Sequence, residues 1–443
     1  MVRMLPRMLR IVAASLFLLA SLACAFISSN ATDPYLLPVP AYAFLALVAF
    51  ALLVSWLVWR RKPRRIFHWA CLIAWLAVPV AYAWSMALLE VERRHVLAAS
   101  EEERALLGPH FITGYRRAED VAALAQQGLV GGLFITRHNF QGASADRLRD
   151  EIAGMQRSRK AAGLPQLIVS ADQEGGIVSH LAPPLTRFPS LAALAALPGE
   201  ARAAAAQRQG EAQGKELAAL GITLDFAPVV DLQRPKTEAA RDLTSRLSSS
   251  HIKDRAISTD PEVTGAIALA FAQGLESAGV GATVKHFPGL GRVDEDTHHF
   301  RARLDAGVAE LEASDWRPFR ALLDERQAAL MVGHVVLTAI DPDRPASHSK
   351  AVIQGLLRDR WGHQGLIITD DMVMSPVYRH GFCTAVVEAL NAGVDLVLIA
   401  YDGRQYYKAM DCALTALHHG ELDRAMLEAS AQRLSAYNKS VSR

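Results

Sequence analysis

The chain has little cysteine, four residues in 443, too few for a small disulfide-stapled scaffold. It also lacks a charge excess. Forty-seven Lys and Arg against 45 Asp and Glu leave a formal net charge of +2, so composition implies no nucleic-acid partner. Charge is missing altogether from three runs, Ile11–Ser28, Leu36–Trp59 and Phe67–Leu89, which hold no Asp, Glu, Lys or Arg. Each is near the roughly 20 residues that a helix needs to cross a bilayer. Trp56, Trp59, Trp69 and Trp84 lie toward the ends of the second and third runs, where interfacial aromatics are expected. Three consecutive runs of this length argue against buried helices of a soluble protein.

Basic residues set the expected orientation. Arg3, Arg7 and Arg10 precede the first run, and Arg60, Arg61, Lys62, Arg64 and Arg65 separate the second from the third, whereas Ser29–Tyr35 has no Lys or Arg. The positive-inside rule assigns the N-terminus and the 60–65 loop to the cytoplasm, and everything after Leu89 to the outer side of a bacterial inner membrane. Arg93 and Arg94 point weakly the other way, but Glu90 and Glu92 accompany them. The first run is also compatible with a cleaved signal peptide; two spans then remain and the rest still ends outside. Cys24 and Cys71 lie in these runs, and Cys383 and Cys412 pair only if their helices bring them together. The expected division is a membrane anchor over 1–90, a linker over 91–104 and a catalytic domain over 105–440.

Beyond the apolar runs, short β-rich stretches alternate with helical ones. The candidate strands are His110–Gly114, Gly131–Thr136, Gln166–Ala171, Thr223–Val230, Ala282–His286, Ala329–His334, Gly365–Thr369 and Asp395–Ala400. Ser144–Ala161, Glu200–Leu220 and Pro261–Ala278 are helical candidates between them. Alternation of this kind implies parallel βαβ units, and eight units fit a (β/α)8 TIM-type barrel, here preceded by a bundle of transmembrane α-helices. A doubly wound open sheet is the second architecture compatible with the alternation.

A barrel demands that functional residues cluster just after its strands. Asp172 and Glu174 follow the third candidate strand, Asp231 the fourth and Asp370 and Asp371 the seventh; Lys285 and His286 end the fifth, and His334 the sixth. An Asp after a strand is often only a helix cap; recurrence at one end of successive strands is harder to explain so. The richest stretch begins Lys285-His286-Phe287-Pro288-Gly289-Leu290-Gly291, in which proline and glycine turn the backbone sharply. It continues to Asp296-Thr297-His298, where a carboxylate can orient and polarise an imidazole for acid/base work near neutral pH.

This stretch resembles the signature of the β-N-acetylhexosaminidases of glycoside hydrolase family 3, Lys-His-Phe-Pro-Gly-His-Gly, four residues, then Asp-Ser/Thr-His. Further segments resemble the same family in order: Asp172-Gln173-Glu174-Gly175-Gly176, Phe226-Ala227-Pro228-Val229-Val230-Asp231, Met331-Val332-Gly333-His334, Pro345-Ala346-Ser347, Thr369-Asp370-Asp371-Met372 and Ala389-Leu390-Asn391-Ala392-Gly393. The resemblance spans roughly residues 105–435. Leu290 stands where the family has His, and Ile177 where it has Arg.

The resemblance implies a retaining hydrolysis through a covalent glycosyl-enzyme. Asp370 is then the nucleophile, His298 the acid/base and Asp296 its orienting carboxylate, with Asp172, Arg255, Lys285 and His286 holding the sugar. The implied substrate is a glycan with terminal N-acetylglucosamine, peptidoglycan or its fragments, with the bilayer as second partner and no cofactor or metal. Three alternatives stand beside it. A barrel metallohydrolase would use Asp296, His298, His334 and Asp370 as ligands, but an early His-x-His is missing. A catalytically weak glycan sensor is motivated by Ile177 and Leu290. A phosphorylase of the same family would accept phosphate instead of water.

Overall fold

The computed structural model describes residues 5–33, 36, 39–60, 66–140, 144–234, 252–293, 302–325, 328–400 and 403–441. The chain divides into two compact units, Met1–Ala98 and Ala99–Arg443.

The first unit is three helices, α1 (Leu5–Ser29), α2 (Ala41–Arg60) and α3 (Ile66–Leu97). All three are long and apolar enough to cross a membrane. Large apolar side chains point outward along them, among them Leu16, Leu22, Phe26, Leu45, Trp59 and Trp84. Their shared core is small: Ala51, Trp75 and Val78 are buried, with the rings of Phe17 and Phe50 at 5.2 and 5.6 Å from that of Trp75. Within 91–104, α3 continues to Leu97, and another helix, Glu101–Leu107, begins in the second unit. Its start is fixed by a capping box. The Ser100 side chain accepts from the Glu103 N–H at 3.2 Å, and the Glu103 carboxylate accepts from the Ser100 N–H at 2.6 Å.

The second unit is built on eight parallel strands, here β1 (Phe111–Gly114), β2 (Gly132–Ile135), β3 (Ile168–Ala171), β4 (Leu224–Asp225), β5 (Gly281–Phe287), β6 (Ala329–Val332), β7 (Ile367–Thr369) and β8 (Val397–Ile399). From β1 to β7 each pairs with its neighbours in chain order, and β1 also pairs with β8. A parallel bridge between Ile368 and Leu396, with the Thr369 N–H donating to the Leu396 carbonyl at 3.0 Å, nearly closes the ring between β7 and β8. The result is a TIM-like barrel rather than an open doubly wound sheet. All eight strands lie where the alternation predicts them.

The interior is filled by alternate strand residues, including Ile112, Phe134, Ile168, Leu224, Met331, Ile368 and Leu398. The rings of Phe134 and Phe226 stack at 5.5 Å. The outer helices start where their caps dictate: Ser144 accepts from the Arg147 N–H at 3.2 Å at the head of Ala145–Ala161, and Asp260 accepts from the Glu262 N–H at 2.8 Å at the head of Pro261–Ser277. Helices Gly199–Leu220 and Pro261–Ser277 pack so closely that a Cβ on Gly210 would sit 2.2 Å from the Phe271 carbonyl oxygen.

Candidate active site

The register aligns the site. Phe287 of β5 and Thr369 of β7 both pair with Val332 of β6, so His286 immediately precedes this level and Asp370 immediately follows it. The turn after β5 is shaped by two glycines. Gly289 has a φ of +107°, and a Cβ on Gly291 would sit 2.1 Å from the Leu232 carbonyl oxygen. The Trp316 indole N–H donates to the Pro288 carbonyl at 3.0 Å. Asp231, fully buried after β4, staples the turn. Its Oδ1 accepts the Leu290 N–H at 2.6 Å, and its Oδ2 lies 2.7 Å from His286 Nδ1. That contact fixes the imidazole's orientation and leaves Nε2 to face Arg255 Nη2 at 3.2 Å.

Asp172, Arg255, Lys285 and His286 lie together, and Glu174 joins them. Lys285, only 2% exposed, reaches Asp172 Oδ1 at 2.5 Å and Glu174 Oε1 at 2.6 Å. Arg255 grips Glu174 with Nε and Nη2 at 2.9 and 2.6 Å. Burial opposes charge on Glu174, but Arg255 and Lys285 overcome it and hold the carboxyl down at about 2. Burial likewise opposes charge on Lys285, yet Asp172 and Glu174 keep its ammonium above the ordinary lysine value. Two cations face two carboxylates, so the cradle is electrically balanced and strongly polar. Its more open member is Asp172, with 22% side-chain exposure. Beneath, Asp225 accepts the Gln173 N–H at 3.0 Å and the Gln213 amide at 2.9 Å, and burial raises its pKa well above the ordinary carboxylate range.

The adjacent carboxylates at the end of β7 have different surroundings. Asp371 is buried, and its Oδ1 accepts the N–H groups of Val373 and Ala400, each at 3.0 Å. That is a structural duty. Asp370 is half-buried, and its Oδ1 accepts the Asp371 N–H at 2.8 Å, which orients the carboxylate. His334 is structural as well. Its Nδ1 lies 2.7 Å from Ser347 Oγ and its Nε2 lies 2.9 Å from the Asp371 carbonyl oxygen. With both ring nitrogens engaged, it does not serve as a metal ligand beside Asp370, which removes one ligand from the metallohydrolase alternative.

Asp296 and His298 lie outside the described residues. Their flanks are anchored. Arg292 Nε binds Asp315 Oδ2 at 2.7 Å before the segment, and Ala302–Leu304 pairs with Val335–Leu337 after it. The two departures from the family pattern differ in setting: Leu290 is 5% exposed, whereas Ile177 is 56% exposed. The sequence offers Glu174 and Asp231 as acids after strands and as members of family-like segments, without a role for either. It does not show their shared neighbours, with Arg255 81 residues from Glu174. Among the described residues, one His/Glu group has metal-ligand spacing, His348, His380 and Glu388, and it shares no residue with the cradle.

Residues 99–436 match the model of the glycosyl hydrolase family 3 N-terminal domain. The chain is 36% identical over 306 residues to a beta-hexosaminidase of Stenotrophomonas maltophilia, covering 68% of this chain and 84% of that protein. It is 37% identical over 284 residues to a beta-hexosaminidase of Xanthomonas campestris, covering 62% and 78%. Among solved structures, a family 3 beta-N-acetylglucosaminidase from Paenibacillus aligns with a TM-score of 0.69 at 29% identity, over 78% of this chain and 63% of that one. A beta-N-acetylhexosaminidase from Beutenbergia cavernae aligns with a TM-score of 0.66 at 29% identity, over 77% and 99%.

Proposed function

The chain belongs to glycoside hydrolase family 3, and from that premise we propose that it is a membrane-anchored, retaining β-N-acetylhexosaminidase acting on terminal N-acetylglucosamine of peptidoglycan or its fragments. One observation carries the reading: the half-buried Asp370 just after β7 shares the barrel mouth with the charged cradle of Asp172, Glu174, Arg255 and Lys285. Asp370 attacks the anomeric carbon, and the leaving oxygen takes a proton from His298. Water, deprotonated by His298, then attacks the glycosyl-enzyme and releases the sugar with retained configuration. Asp296 holds the imidazole for both transfers. Asp172, Arg255, Lys285 and His286 offer donors and acceptors to sugar hydroxyls and the N-acetyl group, at a site where charge is already paired and needs little reorganisation.

The apolar helices α1–α3 and the basic 60–65 loop support a cytoplasmic-membrane anchor with the catalytic unit outside. The Cys383–Cys412 disulfide fits an oxidising, extracytoplasmic compartment. The test is turnover of an aryl β-N-acetylglucosaminide by the full-length protein in detergent, with and without phosphate. Release of free N-acetylglucosamine, unaffected by phosphate, is expected. Glycosyl phosphate as product would make the protein a phosphorylase. No turnover of any aryl glycoside would overturn the enzymatic reading.

A further inference from the structure

His348, His380 and Glu388 come from three segments: the turn Ala346–His348 after β6, the helix Ser375–His380 after β7, and the helix Phe382–Ala392. One ligand-type atom from each lies within 4.8 Å of the other two. His380 Nε2 is 2.8 Å from Glu388 Oε2, and the rings of His348 and His380 are 4.8 Å apart. An ordinary hydrogen bond accounts for His380 and Glu388. It does not account for a second imidazole, 1% exposed, brought to the same pair.

Two imidazoles and a carboxylate are a donor set suited to zinc. Ligands about 2.0–2.1 Å from a tetrahedral ion stand roughly 3.3 Å from one another, so small side-chain rotations gather these three. Outer partners orient two of them, as metal ligands require. His348 Nδ1 is 3.2 Å from Ser347 Oγ, and Glu388 Oε1 accepts from Arg344 Nε at 2.9 Å. His348 closes the site from inside, while His380 and Glu388, with 21% and 23% side-chain exposure, leave it open to an ion and a fourth, water ligand.

We propose that His348, His380 and Glu388 form a binding site for a zinc-class divalent cation, which ties the turn after β6 to the two helices after β7. A contact chain runs from this site toward the carboxylate assigned as nucleophile: His348 to Ser347 at 3.2 Å, Ser347 to His334 at 2.7 Å, and His334 to the Asp371 carbonyl at 2.9 Å. Any effect on Asp370 rests on the hydrolase reading; the binding of the ion does not.

The test uses full-length protein in detergent, stripped with a chelator and dialysed. Zinc binding is followed by equilibrium dialysis with metal analysis, and by the thermal unfolding midpoint. His380→Gln and Glu388→Gln are the main variants because both positions are partly exposed; His348→Gln is the third. Wild type should bind one zinc per chain more than each variant, and saturation at about a hundred times Kd should raise its unfolding temperature by about 5 °C. Cobalt in place of zinc should give the intense visible bands of a four-coordinate ion in wild type only. An ion bound elsewhere on the chain would appear equally in all proteins and cancel. Equal stoichiometry and equal affinity in wild type and in the His380 and Glu388 variants would overturn the site, whatever the turnover assay shows.

Discussion

The guanidinium of Arg255 meets the carboxylate of Glu174 through two contacts, Nη2 to Oε1 at 2.6 Å and Nε to Oε2 at 2.9 Å, and Lys285 adds a third at 2.6 Å. Glu174 therefore sits between two cations and fixes where both heads stand. Paired, planar contacts of this kind specify geometry as well as charge. They position Arg255 and Lys285 without help from a ligand.

Glu174→Gln should accordingly be costly. Removing one partner of a buried pair destabilises by about 3–5 kcal/mol because the other charges lose their compensation. The pH dependence has a definite sign. Glu174 is held at about 2, below its ordinary 4.5, so its contribution is complete above the ordinary value and disappears as pH falls through the folded one. Urea unfolding from pH 5 to 2 should show a steeper loss in wild type than in Glu174→Gln. Parallel curves would show that the pair is not linked to folding.

The catalytic roles separate by leaving group. Asp370→Ala should abolish turnover of every glycoside. His298→Ala should lose roughly 10²–10⁴-fold on natural glycosides but less on activated aryl ones, which need little protonation. The glycosyl-enzyme should then accumulate, visible by intact-mass measurement, and azide should speed its breakdown. Asp296→Asn should fall between wild type and His298→Ala. Equal losses on all leaving groups, with no trapped intermediate, would remove His298 from the acid/base role.

The two departures from the family pattern should respond differently to reversion. Ile177 is 56% exposed, so Ile177→Arg should leave the unfolding temperature unchanged and lower KM for an aryl N-acetylglucosaminide. Leu290 is buried, and Leu290→His places an imidazole where an apolar side chain packs. A loss of about 1–3 kcal/mol is expected unless the imidazole finds a partner. A gain in kcat/KM from Leu290→His without loss of stability would indicate a pocket of the usual family type.

Cys383 and Cys412 are 29 residues apart and disulfide-bonded. Chain entropy puts the stabilisation at about 3–4 kcal/mol for such a loop. Reduction, or Cys383→Ser, should lower the unfolding temperature. In cells, the bond should form only if the catalytic unit is exported. A reporter fused after Leu97 should behave as extracytoplasmic and one fused within residues 61–65 as cytoplasmic. The reverse pattern, with free thiols at Cys383 and Cys412, would return the catalytic unit to the cytosol.

Much of the architecture is local information. The three uncharged runs are long and apolar whatever packs around them, so length and composition alone mark them as helices able to cross a membrane. The barrel strands are short apolar runs bounded by turn residues, and Ser144 and Asp260 mark helix starts because a side-chain oxygen satisfies N–H groups only two or three residues away. The recurrence of acids after strands likewise placed Asp172 and Asp370 at one end of the barrel. What the acids do there depends on barrel closure. Lys285 reaches Asp172 across 113 residues of chain, and His286 reaches Asp231 across 55. Asp370 and Asp371 are neighbours in sequence, yet the first accepts the N–H of the adjacent Asp371, whereas the second accepts one from Ala400, 29 residues away. The Cys383–Cys412 pairing and the His348, His380 and Glu388 cluster have the same origin. Ion pairs, hydrogen bonds and ligand sets act over a few ångströms, and tertiary packing alone sets such distances between residues far apart in the chain.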